Sequence, residues 1–389
     1  MYRMFLEEAT NIFDYMQAAR QTLHKYPEAG LELYETCNFV QNCLKEMGIP
    51  SKNLNGKGVI ADIGSGKKPI IALRADMDAL EIAESSQVPY KSKVSGTMHA
   101  CGHDAHTAIL LGTAKVLKGM ESTLKGTIRL IFQTGEEIAK GAKEMLANGA
   151  LENVDAVIGM HVNPNLLVSE IGVNRKAAFA ASSPFKIEVK GKGTHAATPE
   201  KGIDANFILD EIESSLQKII ARQISALDSA LITIGKSNRG SARNALADKA
   251  DAEGILRAVG EELRFFCMER MKSVVKLTAE MWGGEASICF EEGCPSLENN
   301  NFMVRAFKKF INTADNISLV EFENPSMMAE DFAYFSEKVP GLYYMLGCRN
   351  EEKGKTSDLH TGSFDVDEDC MVIGCALQCL IAYNYLLNF

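Results

Sequence analysis

The sequence predicts an α/β protein whose sheet is covered by helices on both faces and is interrupted by an α+β insert of ferredoxin-like order. Three observations carry this. Short apolar strands alternate with helical segments in the first half of the chain, the texture changes after Ala178, and 389 residues with 46% hydrophobic and 24% charged content can bury one large core or two ordinary ones.

From Asn11 to Lys25 and from Glu35 to Met47, apolar residues recur at three- and four-residue spacing, the signature of amphipathic helices. Strand-like runs follow at Gly58 to Ile63, Pro69 to Leu73, Thr127 to Phe132 and Val154 to Met160, with a helical pattern at Ala105 to Lys118 between them. In such sheets ligands gather at the carboxyl ends of strands. Beyond Ala178, Phe185 to Lys190 alternates like a half-exposed strand, and Asn206 to Ile224 and Gly260 to Glu280 read as helices. Strand-like pieces at Ala230 to Ile234, Ala250 to Arg257 and Ala286 to Glu291 complete a β-α-β-β-α-β order. The expected division is therefore residues 1–178 and 292–389 in one domain, with 179–291 inserted into it. The tail from Asn299 onwards returns to helices and apolar strands that complete the first domain.

Composition removes several function classes. A formal net charge of −10 and the absence of a basic run with interleaved aromatics argue against a nucleic-acid partner. Met1 to Phe13 lacks the apolar core and cleavage site of a secretion signal, and the apolar stretch Cys375 to Leu387 is too short to span a bilayer, so a cytoplasmic location without a membrane partner is expected. The ten cysteines are dispersed without a repeated C-x-x-C framework, so free buried thiols are expected.

The most informative segment runs from Met98 to His106 and packs His99, Cys101, His103, Asp104 and His106 into nine positions. On extended backbone Cys101 and His103 project to one side, and Gly102 permits close backbone approach. Thiolate and imidazole together suit a borderline-soft divalent metal. A redox thiol, or a helix cap with satisfied histidines, is the competing reading. Glu136-Glu137 follows the strand ending at Phe132; on extended backbone adjacent side chains point apart, so one glutamate can face a metal while the other accepts a proton from water. A solvated surface pair is the alternative there. His161 is expected at the carboxyl end of a strand, and His360 lies in a polar loop-like stretch; either histidine alone could equally be structural. One thiolate, three imidazoles and one carboxylate suffice for two metals that share a ligand, the usual apparatus for hydrolysing amides.

In this light the chain resembles the aminoacylase and carboxypeptidase metallopeptidase family, and within it the amidohydrolase branch that includes hippurate hydrolases, N-acetyl-diaminopimelate deacetylases and indole-acetyl amino acid hydrolases. The landmarks run nearly the full length: His24-Lys25-Tyr26-Pro27-Glu28, Arg74 to Leu80, Met98 to His106, Glu136-Glu137, Gly159 to Val162, His195-Ala196-Ala197, Ala329 to Phe332 and Leu359 to Gly362. The resemblance implies a di-metal peptidase-like catalytic domain with a mixed sheet flanked by helices, and an inserted dimerisation or lid domain. It implies Cys101 as a bridging ligand, His103 and His161 on one metal, Glu137 and His360 on the other, and Glu136 as general base. His195 resembles a histidine that stabilises an oxyanion across a dimer, and Asn244 and Arg257 fall where the family places groups near the substrate carboxylate. The implied activity is hydrolysis of N-acyl (N-acetyl or N-aroyl) amino acids with two divalent ions, zinc or manganese first and cobalt or nickel next, in a homodimer or higher homo-oligomer.

The insert departs from the family pattern at Pro199-Glu200, Asn244-Ala245-Leu246-Ala247 and Gly254-Ile255-Leu256-Arg257. These departures bear on the substrate more than on the reaction. A dipeptidase or carboxypeptidase on the same scaffold, and a non-catalytic metal- or small-ligand-binding protein, are the rival readings. Asp76, Asp78, Asp104 and Asp331 are expected to orient imidazoles or to cap turns.

Overall fold

A computed structural model describes residues 1–312, 314 and 316–388. The chain forms two compact units: Met1–Ala178 with Glu298–Asn324 and Asp331–Phe389, and Phe179–Leu297 with Pro325–Glu330.

Unit 1 is built on a mixed sheet that has, among the described residues, eight strands in the order Ser51–Asn53, Val59–Gly64, Thr127–Gln133, Ile70–Asp76, Ala156–Leu167, Gly341–Arg349, Glu170–Asn174 and Ser318–Phe322. The central pairings are parallel, and antiparallel pairs flank them. Every residue of Ile70–Asp76 is buried, including Arg74 and Asp76. The apolar run in the sequence stops at Leu73, but the strand continues because its charges are satisfied inside. Arg74 donates to Asp76 at 2.6 Å, to Asp331 at 2.9 Å and to Gln133 at 2.9 Å.

One strand and one helix run further than the sequence expectation. Ala156–Leu167 runs six residues past His161, so His161 sits within a strand rather than at its carboxyl end; residues 157–163 pair in parallel with Gly341–Gly347 and prolong it. The helix Cys370–Asn388 has 19 residues, longer than the apolar stretch Cys375 to Leu387, and by length and composition it is long enough to cross a membrane. It is instead mostly buried in the core, packed against His103–Gly119 and an additional N-terminal helix, Tyr2–Asn11.

Unit 2 follows the expected order: strand Ala181–Lys190, helix Ala205–Arg222, strands Ala230–Arg239 and Lys249–Ala258, helix Glu261–Met281 and strand Glu285–Phe290. Its sheet is antiparallel, with Ala181–Lys190 and Lys249–Ala258 central and the other two strands at the edges, the ferredoxin-like arrangement. Phe185, Ile187 and Val189 turn into its core while Lys186, Glu188 and Lys190 face outwards, which explains the alternation. The unit extends past residue 291 because Cys294 pairs with Ser182 and the Ser296 hydroxyl donates to the Phe179 carbonyl at 2.9 Å. Residues 325–330 join it through Ala180 N–H donating to the Ser326 carbonyl and the Cys294 thiol donating to that of Glu330.

Candidate metal centre

Unit 1 gathers all five residues expected to hold metal. Cys101 ends a loop, Gly102 adopts φ +87°, and His103 opens the helix His103–Gly119. That backbone turn, rather than an extended segment, is what brings the thiol and the imidazole together. Only glycine fits at position 102: a Cβ there would lie 2.5 Å from Val162 Cγ2 in a left-handed conformation.

The Cys101 sulfur lies 3.3 Å from His161 Nε2 and 3.3 Å from His360 Nε2. Ligand atoms of Cys101, His103 and His161 fall within 4.8 Å of one another, as do those of Cys101, Glu137 and His360. Two ligands at zinc-like bond lengths are about 3.3–3.6 Å apart in tetrahedral geometry, so the separations match a metal-binding set. The thiol is common to both triads.

The hydrogen bonds fix which ring nitrogen is presented. His103 Nδ1–H donates to the Asp78 carbonyl at 2.8 Å and His161 Nδ1–H to the Val162 carbonyl at 2.7 Å, so both rings turn a lone pair on Nε2 inward. His103 Nε2 and Glu137 Oε1 are buried without a hydrogen-bond partner among the described residues. Burial pushes the Cys101 thiol well above its ordinary range, and burial with the neighbouring His106 pulls His161 down to about 3. Burial works against a charged His103, but Asp76 and Cys101 raise it, so among these rings it is His161 that burial keeps neutral; the orphaned polar atoms, that imidazole and a thiol that only a nearby cation would hold as thiolate make a donor set that fits metal ions. His360, half-exposed at φ +60°, stands 3.3 Å from Glu137 Oε1 in an ion-pair approach without hydrogen-bond geometry. That pairing raises the imidazole; burial works against ionisation of Glu137, but His360 and His103 hold its carboxyl below the usual range.

His106 is different. Val162 N–H donates to its Nε2 at 2.9 Å and its Nδ1–H donates to Asp76 at 2.6 Å, so neither nitrogen is left for a ligand. It props the strand that carries His161.

Glu136 and Glu137 lie in a turn beyond the strand Thr127–Gln133, not on extended backbone. The expectation that one carboxylate must face away is therefore corrected: acidic oxygens of both converge with His103 within 4.8 Å. Asp78 holds that turn, its carboxylate accepting from Glu136 N–H at 3.1 Å and from Glu137 N–H at 3.0 Å. Among the four aspartates expected to orient imidazoles, Asp78 thus holds the candidate ligand His103 through its carbonyl, not its carboxylate. Asp76 serves His106, Asp104 serves His24 and Arg20, and Asp331 accepts from Arg74, Gln133 and the Ala142 N–H. Arg74 and Gln133 fall within sequence motifs that do not reveal these roles, and Arg20 was missed altogether. Arg20 had a visible signal, since it occupies the face of an amphipathic helix that Met16, Ala19 and Leu23 bury.

The remaining candidates belong to unit 2. His195 is exposed in a loop and bridges Ala245, with Ala196 N–H donating to the Asn244 carbonyl at 3.0 Å, so His195 and Asn244 are neighbours there. Arg257 sits on Lys249–Ala258 with one guanidinium nitrogen, Nη1, buried without a partner among the described residues, and burial holds its pKa below the usual range.

Comparison with known proteins agrees with this geometry. Residues 72–384 match the model of peptidase family M20/M25/M40. N-acetyl-L-cysteine deacetylase of Bacillus subtilis (strain 168) is 39% identical over 355 residues, 91% of this chain and 84% of that protein. IAA-amino acid hydrolase ILR1-like 4 of Arabidopsis thaliana is 35% identical over 388 residues, 98% and 88% of the two chains. The crystal structure of Bacillus subtilis YXEP protein, described as a dinuclear metal binding peptidase from M20 family, superposes with a TM-score of 0.87 at 33% identity, covering 98% of this chain and 100% of that one. The shared thiol, the two triads and these full-length similarities converge, and the chain belongs to peptidase family M20/M25/M40.

Proposed function

We propose that this protein is a two-metal amidohydrolase that cleaves the amide bond of N-acyl amino acids, N-acetyl or N-aroyl, to a carboxylic acid and a free amino acid. The observation that carries it is the Cys101 sulfur at 3.3 Å from both His161 and His360, with Glu136 beside the same cluster. In this reading Cys101, His103 and His161 hold one ion and Cys101, Glu137 and His360 the other. When bound, such ions supply Lewis-acid polarisation and lower the pKa of water. Zinc or manganese suits the mixed donor set best, with cobalt or nickel as further candidates.

The chain's own residues do the rest. Glu136 is the proton carrier: its backbone is fixed by Asp78, and its carboxylate takes a proton from the attacking water and delivers it to the departing amine nitrogen. His103 and His161 keep their tautomers through the carbonyls of Asp78 and Val162, which prevents the rings from turning a proton inward. We assign oxyanion stabilisation to His195 on the resemblance of its motif, and carboxylate recognition to Asn244 and Arg257 on their place in the chain, although both segments depart from the family pattern; an Arg257 guanidinium nitrogen with no partner among the described residues supports an anion there. The names of the two relatives, a deacetylase and an amino acid conjugate hydrolase, support the acyl amino acid substrate class.

The same reading includes a homodimer and a cytoplasmic location. The first is supported by Phe265, Leu277 and Met281, exposed on the helix Glu261–Met281, and the second by ten cysteines outside disulfides, nine of them buried. Release of free amino acid from N-acetyl, N-benzoyl and longer N-acyl amino acids, run beside dipeptides, tests the activity. Turnover of acyl amino acids that requires metal and Glu136 is expected. Turnover of dipeptides alone would make the protein a peptidase, and a folded, metal-loaded protein inert on every substrate would make it a binder.

A further inference from the structure

The helix Phe13–Lys25 places two polar side chains, one helical turn apart, on the face that packs inward: Arg20 and His24, each 1% exposed. The Arg20 guanidinium spans three carboxylates. Nε donates to Asp104 at 3.1 Å, Nη1 to Glu368 at 3.0 Å and Nη2 to Asp365. His24 Nδ1 reaches the same Asp104 oxygen at 2.7 Å, and the Tyr90 hydroxyl donates to Asp365 at 2.8 Å.

The chain positions of these acids matter. Asp104 directly follows His103, and Asp365 lies five residues beyond His360. A single guanidinium therefore joins the segment bearing Cys101 and His103 to the loop bearing His360. The two segments also touch directly, through His360 N–H donating to the Ala100 carbonyl at 2.8 Å and through Phe364 packed beside Gly102. Stability alone is a poor account of such a cluster, because burying charges is costly even when they are paired, and apolar replacement is often neutral or better.

We propose that Arg20 is a positioning residue: it sets the spacing between the Cys101–His103 segment and the His360 loop, and through it the affinity for the ion held by Cys101, Glu137 and His360. The proposal rests on the two-metal reading above. It concerns a residue outside the 72–384 region matched by the family, and it gives the motif His24 to Glu28 a physical context. The His360 half is the one that yields. His103 begins a 17-residue helix and is fixed by Asp78, and His161 lies inside the sheet, whereas His360 is half-exposed on a loop. When the arginine fork is lost, the loop moves more readily than the helix.

Manganese titration of the apo-protein in competition with a chelator, with thermal melting alongside, tests this in wild type, Arg20→Lys, Arg20→Met and Glu368→Gln. Lysine keeps the charge but not the three-way fork. The expected result is an unchanged first equivalent, a second equivalent weakened about 10–100-fold in Arg20→Lys, and a smaller loss in Glu368→Gln. Turnover lost at limiting manganese returns with excess manganese, while KM stays as in wild type. Should Arg20→Met fail to fold, Arg20→Lys and Glu368→Gln carry the test. Wild-type affinity for both equivalents in folded Arg20→Lys and Glu368→Gln would overturn the proposal, as would a loss of turnover that excess metal does not restore. Wild type that binds a single equivalent would overturn the two-metal reading itself and take this proposal with it.

Discussion

The two halves of the proposed metal centre share the Cys101 sulfur but are built differently. On one side, His103 and His161 are buried, and each ring is locked by a backbone carbonyl. On the other, Glu137 lies in a turn and His360 on a half-exposed loop residue at positive φ. The first half is made by regular structure, a helix start and a strand, and inherits its rigidity. The second depends on side-chain networks, Asp78 beneath the Glu136–Glu137 turn and Arg20 behind the His360 loop. The difference teaches that one binding position is set by the fold and the other by its supports.

The largest expected effect lies outside this asymmetry. Glu136→Gln should lower turnover by about 10²–10⁴-fold, since it removes the proposed proton carrier, while elemental analysis still finds both ions. Loss of metal in that variant would make Glu136 a ligand and break the division of roles between the two glutamates. Next, His161→Ala and His360→Ala should separate the halves. Calorimetric metal titration is expected to show the tighter equivalent lost in His161→Ala and the weaker one lost in His360→Ala; the reverse order would invert the comparison.

Asp78→Asn should be milder. The amide can accept only one of the two backbone N–H groups that the carboxylate now accepts, and its NH₂ opposes the other. A fall in kcat of about 10–100-fold is expected with the first metal equivalent intact, because His103 is held by the Asp78 carbonyl, which the substitution leaves in place. If kcat is unchanged, the turn does not depend on this residue.

The smallest effect concerns pH. Burial disfavours a charged His24, but the Asp104 carboxylate and hydrogen bonds to Asp104 and Glu84 outweigh it and hold the ring up at about 9. A folded-state pKa above the ordinary 6.5 stabilises the fold fully below pH 6.5, and that contribution disappears as pH rises through 9. Chemical denaturation at pH 8 and pH 10 should show about 1 kcal/mol of stability lost by wild type beyond that lost by His24→Gln. Parallel losses in the two proteins would mean that His24 does not change its charge in that interval.

The parts of the molecule legible in the sequence were those that obey a local period or a dense motif. Phe185 to Lys190 alternates because one face meets the core of unit 2, and Met98 to His106 concentrates ligand types within nine residues. What stayed hidden was non-local. Nothing near Leu73 shows that its strand continues through Arg74 to Asp76, because besides Asp76 the partners that satisfy Arg74 include Gln133 and Asp331, 59 and 257 residues away. The Glu136–Glu137 geometry was misread for the same reason, since the turn is held by Asp78, 58 residues earlier for Glu136. Helix Cys370–Asn388 looked like a shorter segment although Cys370 to Ile373 ahead of Cys375 are apolar too, and Cys370 and Met371 are buried in the same core.

The central claim is that one sulfur serves both metal positions. The most direct test counts metal per chain by elemental analysis in Cys101→Ala and His360→Ala after reconstitution and dialysis, with circular dichroism to confirm the fold. Two ions in wild type, one in His360→Ala and fewer than one in Cys101→Ala is the predicted result. A folded Cys101→Ala protein that keeps one or two ions at wild-type affinity would contradict the account, because at least one position would then be complete without the shared thiol.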